Sequence, residues 1–436
     1  MITTMTAAPF TQESFDTFLA SRDEPDWVSD ARRAAWLRFS QLQLPNHRDE
    51  EWMRTDIRLF RFDRYGVSSE TSAPVPLQPL LTQGVELAGH TTSLDSHPRT
   101  AELEEEWSRQ GVLFGSLDRL LVEHTDLLKP CFLRQVVDPN TDKFSALQSA
   151  WWSGGTLLYV PRGVSIDQPL HALSAMSAGS VDLGRTMVIL EEGAEATLLC
   201  ETQSTEPESD GLHCGAIEII VGPHARLRYV NLQNWSTGVW HFAHQRAIVE
   251  SEGELQWTIG ALGSRLAKVN QHASLVGRGA RAQVNGVMFT EGRQHLSYHT
   301  LQHHEAPDCT SDLLYKTALQ DQSRTVWRGM IKVDPVAQKT DGYQRNDNLI
   351  LSPDARADSI PGLEIEADDV RCTHGATSGR VDEEQIFYAR ARGFTRREAV
   401  RMVVTGFFRQ VFDRIAIQSV REALGEAIGR RIREFD

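Results

Sequence analysis

The stretch Gly193-Ala194-Glu195-Ala196-Thr197-Leu198 returns as Gly222-Pro223-His224-Ala225-Arg226-Leu227 and again as Gly279-Ala280-Arg281-Ala282-Gln283-Val284. Gly253-Glu254-Leu255 stands between the last two in the same role, so the four glycines fall at near-regular intervals along the chain. Each copy is a turn followed by alternating small and apolar residues. One such unit cannot bury its inner face alone, and a repeat of this length is what stacked β coils produce. The near-regular spacing favours a solenoid; a β-sandwich of short strands is the competing arrangement.

Outward from these copies, strand character extends from about 149 to 361. Thr156-Leu157-Leu158-Tyr159-Val160, Met187-Val188-Ile189-Leu190 and Ile217-Glu218-Ile219-Ile220-Val221 are rich in β-formers and bounded by glycine turns. Upstream, the first ~130 residues read as helical by their apolar spacing. Thr11 is placed to cap a helix through Phe15, Phe18 and Leu19, and Pro25 opens a second with Val28, Ala31, Ala35, Leu37 and Phe39. Prolines at 74, 76 and 79 mark 68–79 as a connection. Beyond Gly379 helix returns. Asp382 with Gln385 and Thr395 with Glu398 read as capping boxes, with Gly393 as the stop between them. Val400, Val403, Val404, Phe407, Phe408, Val411, Phe412 and Ile415 then form an apolar stripe, and Val420, Leu424, Ile428 and Ile432 a further one. This last unit is small for an independent core, so it packs on the β region or gives its apolar face to a partner. The expected organisation is a mainly helical unit with a linker over 1–145, a β core over 146–378 and a helical unit over 379–436.

A chain of 436 residues exceeds one ordinary core. A net charge of −14 argues against a general nucleic-acid binder, which needs a basic surface. Arg430, Arg431 and Arg433 read instead as a solvated helix face. No window approaches the ~18–20 apolar residues of a membrane helix, so no membrane association is expected. Met1–Phe10 lacks the basic start, apolar core and small-residue cleavage site of a secretory signal, and a cytoplasmic location follows as the expectation. The five cysteines (Cys131, Cys200, Cys214, Cys309, Cys372) include no Cys-x-x-Cys pair, which indicates neither a disulfide framework nor a structural zinc site.

The phosphate loop, the dinucleotide turn and the nucleophile elbow are all missing, so the chain reads as a non-enzyme that binds no nucleotide itself. His295, His299, His303 and His304 lie between Gly292 and Pro307 in an alternating segment read as a strand. They are either ordinary coil histidines or a metal or substrate site. Arg371-Cys372-Thr373-His374-Gly375-Ala376-Thr377 is the strongest local signal. In an extended segment Cys372 and His374 point to the same side, offering one soft and one borderline ligand to iron. Two ligands cannot close a four-coordinate site, so the others come from elsewhere, for instance from another subunit. A buried cysteine beside a hydrogen-bonded histidine is the competing reading.

These residues bring a family into view. His303-His304-Glu305-Ala306-Pro307, Ser311 to Lys316, Gly329-Met330-Ile331-Lys332-Val333 and Gln338-Lys339-Thr340-Asp341 follow one another in order. So do Asn348 to Ser352, Pro361 to Ile365, Cys372 to Thr377 and Phe387-Tyr388-Ala389-Arg390-Ala391-Arg392-Gly393. The set resembles the core of the SufB/SufD family of the SUF iron–sulfur cluster assembly system. Val160 to Val164 with Pro169-Leu170, and Glu50-Glu51-Trp52 with Thr55, extend the resemblance upstream. Gly375, where the SufB type usually has glutamate, and Cys372 two residues before the histidine resemble the SufD type.

The resemblance implies a mainly β protein: a right-handed parallel β-helix core flanked by helical terminal domains. It also implies a scaffold subunit of a SufBCD complex. There the SufD-type chain pairs with a SufB-like sister, and its C-terminal helices dock the SufC-like ABC-type ATPase. His374 first and Cys372 second are implied as ligands of a transient iron–sulfur cluster at the subunit interface. Phe387, Tyr388, Arg392, Phe407 and Phe408 are the implied partner-binding residues, and a homodimer is allowed for the chain alone. Two other classes remain: a structural ATPase partner without metal ligands, and a β-helix enzyme acting on polysaccharide, which the missing secretory signal and the helical C-terminal unit disfavour.

Overall fold

A computed structural model describes residues 8–67 and 77–432. Much of the connection expected over 68–79 lies outside the described residues. From Thr156 onward the chain winds through a parallel β-solenoid of about eight turns, each coil giving one strand to each of two sheets. Glu195–Ser204, Arg226–Asn234, Glu254–Ala261, Arg281–Thr290, Thr310–Leu319, Asp341–Ile350 and Arg371–Arg380 stack in the first sheet. Asp210–Val221, Gly238–Val249, Leu266–Leu275, His295–His304, Arg324–Val333 and Arg356–Ile365 stack in the second. The solenoid is the arrangement present; the sandwich is not.

The stacking register departs slightly from the glycine alignment. Glu195, Arg226, Glu254, Arg281, Thr310, Asp341 and Arg371 lie directly over one another. Coil length therefore varies a little along the stack, and the coil from Glu254 to Arg281 is the shortest of these. The corner before each of these strands but the last, Arg371–Arg380, has one residue in the left-handed region: Gly193, His224, Glu252, Gly279, Asp308 and Lys339 in turn. Four of the six are not glycine. Their strain is offset by a hydrogen bond, because each left-handed N–H donates to a carbonyl of the next coil. His224 N donates to Ser251 O at 2.9 Å, Glu252 N to Arg278 O at 2.9 Å and Asp308 N to Gln338 O at 2.9 Å. Gly222 and Gly253 thus mark the corner without occupying its left-handed position.

Alternation sends every second side chain inward. Leu198, Tyr229, Trp257, Val284 and Leu313 form one buried inner column, facing Val269, Tyr298 and Trp327 from the second sheet. Outward residues of the two sheets meet different helices. Leu199, Val230, Leu232, Val287, Phe289, Leu314 and Leu349 pack against Val400, Val404, Phe408, Val411, Val420 and Leu424. These come from the helices Arg396–Phe412 and Gln418–Arg431, so the C-terminal unit lies on the first sheet. On the second sheet lies the helix Lys143–Trp151, its Phe144 ring stacked on Phe242 at 3.7 Å, and the N-terminal helices Gln12–Ala20 and Asp26–Gln41 pack over that helix through Phe15 and Trp36 on Trp151.

The helical reading of the N-terminal region needs one correction. Gly89–Leu94 and His97–Leu103 form an antiparallel hairpin at one end of the first sheet, and Leu113–Ser116 ends the second. Asp95 and Ser96, both at positive φ, make its two-residue turn. These antiparallel strands close the N-terminal end of the stack. The other end has no such cap among the described residues.

Candidate functional site at the open end of the solenoid

The stack ends in Arg356–Ile365 and Arg371–Arg380, each bonded to a neighbouring strand on one side only among the described residues. Register carries the inner columns onto this last coil. Ser311, Gly342 and Cys372 stack in one column, and Leu313, Gln344 and His374 in the next. Cys372 and His374 are therefore the end members of columns buried deeper in the solenoid, here facing the opening. Their same-sided placement agrees with the reading from the sequence; their Cα atoms are about 6.6 Å apart along an extended strand.

Cys372 is half-buried beside Ile331, Val333, Ala337, Ala367 and Val370. Gly342 leaves it room, since a Cβ there would come within 3.2 Å of the sulfur. Burial pushes the Cys372 thiol up, so serving as a metal ligand would require it to give up its proton. His374 is exposed and stands over Gln344, whose Nε2 donates to Gly362 O at 2.9 Å. A soft sulfur and an imidazole at one opening suit iron. Among the described residues no three or more of His, Cys, Asp and Glu are grouped to hold a metal ion. An iron–sulfur unit held here as cargo would draw its other ligands from a second protein. A side chain at position 375 would emerge on the opposite, outer face beside Arg345, so a carboxylate there would not join Cys372 and His374.

The four histidines do lie on one strand, and they do not converge. His299 Nδ1 meets Glu51 Oε2 at 2.5 Å, His303 Nε2 meets Asp334 Oδ1 at 2.9 Å, and His304 faces inward to Ser311 Oγ at 2.8 Å. Burial first, then nearby Arg324, holds His295 down at about 4.

The five residues expected at a partner surface divide. Phe387 is 74% exposed and Tyr388 59%, with the Arg392 guanidinium stacked on the Tyr388 ring at 3.4 Å. Phe407 is half-buried, and Phe408 is fully buried in the seam between helix and sheet, where it offers no surface to a partner. The stripe periodicity that singled it out reports that seam.

One polar row escaped the sequence reading. Lys316, Asp347 and Thr377 stack on the outer face of three successive strands. Each follows the one before by a single coil of chain. That recurrence is the signal that could have exposed them once the register was known.

The chain matches the family model described as the SufBD core domain of SUF system FeS cluster assembly over residues 173–407. The SufBD protein N-terminal region matches over residues 14–172. An iron–sulfur cluster assembly SufBD family protein of Staphylococcus haemolyticus is 28% identical over 409 residues, covering 88% of this chain and 85% of the relative. Such a protein of Staphylococcus saprophyticus is 32% identical over 322 residues, covering 74% and 69%. One of Staphylococcus aureus is 29% identical over 403 residues, covering 88% and 85%. Two family models that tile most of the chain, with the solenoid they accompany, make it a member of the SufBD family of iron–sulfur cluster assembly proteins.

Proposed function

We propose that the chain is a SufD-type scaffold subunit, without catalytic activity of its own, that works in the cytoplasm with a SufB-like sister and a SufC-like ATPase. The observation that carries this reading is the uncapped coil on which Cys372 and His374 end the inner columns. Two strands with free hydrogen-bonding edges are suited to pairing with another chain. The sister seated there would supply the ligands this chain lacks, and a transient cluster would form between them. A second copy of this chain could occupy the same edge when the sister is absent. The exposed Phe387, Tyr388 and Arg392 form an aromatic and cationic surface of the kind that anchors protein interfaces, and we assign it to the ATPase. Among the described residues no helix is long and apolar enough to cross a membrane.

The test is iron and acid-labile sulfide in the three-protein complex, co-expressed and purified without oxygen. The native chain is compared with a Cys372→Ala, His374→Ala variant that still assembles. Loss of most iron and sulfide is the expected result. Unchanged metal content would leave the chain an architectural partner and remove both residues from the site.

A further inference from the structure

We propose that Asp347 is a positioning residue that ties the C-terminal helices to the strand bearing Cys372 and His374. The role rests on the reading of that strand as the cargo end and of the helices as the ATPase dock.

Beneath the C-terminal helices the row containing Asp347 is apolar or small, at Leu232, Gly260 and Val287, and it then becomes Lys316, Asp347 and Thr377. Lys316 and Asp347 are 7% and 3% exposed. Asp347 Oδ2 lies 3.2 Å from Lys316 Nζ, while its Oδ1 accepts from Thr377 Oγ1 at 2.6 Å and from Arg345 Nε at 3.0 Å. On the other side of Lys316, its ammonium sits 4.6 Å from the centre of the Phe407 ring. Phe407 belongs to the helix Arg396–Phe412, held at its start by the Thr395–Glu398 capping box. Arg414, just past that helix, pairs with Asp312 on the Lys316 strand. An unbroken path of specific contacts therefore runs from Phe407 through Lys316 and Asp347 to Thr377, on the same strand as His374.

Charges buried in such a seam are not needed for stability, because desolvation consumes most of what the ion pair returns. A hydrocarbon trio would pack as well and would let helix and sheet slide. A carboxylate whose two oxygens serve different strands does not slide, so displacement of the helix displaces the edge strand. Among the described residues that strand is paired on one side only.

The experiment uses the isolated full-length chain. It reads the rate of maleimide reaction at Cys372 and hydrogen exchange of the amides of Arg371–Arg380. Phe407→Leu keeps apolar volume and removes the ring. We expect it to raise both rates about threefold or more in the native background, and by less than about half as much in a Thr377→Val background. Thr377→Ser, which keeps the hydroxyl, restores the full response. Equal increments in both backgrounds, or no response to Phe407→Leu, would overturn the proposal. No iron or partner is present, so this outcome is separate from the metal-content test of the cargo reading.

Discussion

Gly329 shows how little room the open end leaves beneath His374. A Cβ at 329 would fall 2.2 Å from the Trp327 ring and 2.4 Å from Gln344 Oε1, and Gln344 is the residue beneath His374. Gly329→Ala therefore should cost about 1–3 kcal/mol, visible as a lower urea midpoint, and should alter the environment of His374 in its imidazole NMR signals. At this scale the sequence was readable where alternation alone decided the outcome: Cys372 and His374 needed only an extended segment to share a face. It was less readable at the corners. Strained positions there are filled by His224, Glu252, Asp308 and Lys339 as readily as by glycine, because a hydrogen bond donated to the next coil offsets the cost. A glycine-based alignment cannot see that bond, and so it slipped register.

Among the elements, the C-terminal helices present two kinds of aromatic residue that periodicity does not separate. Phe408→Ala removes a fully buried ring and should cost about 3–5 kcal/mol, seen as early proteolysis and melting of the helical unit. Phe387→Ala, at an exposed position, should leave the melting free energy within about 0.5 kcal/mol of native while weakening pull-down of the ATPase proposed to dock there. The hairpin Gly89–Leu103 was hidden for a different reason: its strands are short and polar, and their pairing is visible only once the first sheet exists to receive them. The capping box at Thr395 and Glu398 was legible because its partners are close neighbours in sequence. At Asp382 the side chain caps Glu384 N alone, and Gln385 takes no part in the cap described there.

For the molecule as a whole, several bases are buried in their neutral form. Burial holds His272, His295 and His304 at about 4, against 6.5 for a free imidazole. Between those values the unfolded chain binds protons that the folded chain does not, so stability must rise with pH across that interval and fall on acidification. The fully buried His304 alone accounts for up to about 3 kcal/mol. Burial likewise brings Lys268 to about 7, despite the opposing pull of Glu51, so its contribution continues the rise above neutrality. Urea melts at pH 4.5, 6.5 and 8.5 should show midpoints increasing in that order. A flat profile would mean that the strand His295–His304 is open to water.

The C-terminal helices also act as a splint. A bare stack of coils is quasi-one-dimensional and can unravel from its free end one coil at a time. Here a single apolar seam joins outer residues from Leu199 to Leu349 to the same helices, and Leu424 comes so close that a Cβ on Gly260 would lie 2.8 Å from its methyl. Six successive coils are thereby bound to one brace and must come apart together. The coil formed by Arg356–Ile365 and Arg371–Arg380 lies beyond the seam. Fraying is thus confined to the one coil that carries Cys372 and His374, leaving that end supple on a body that does not unwind.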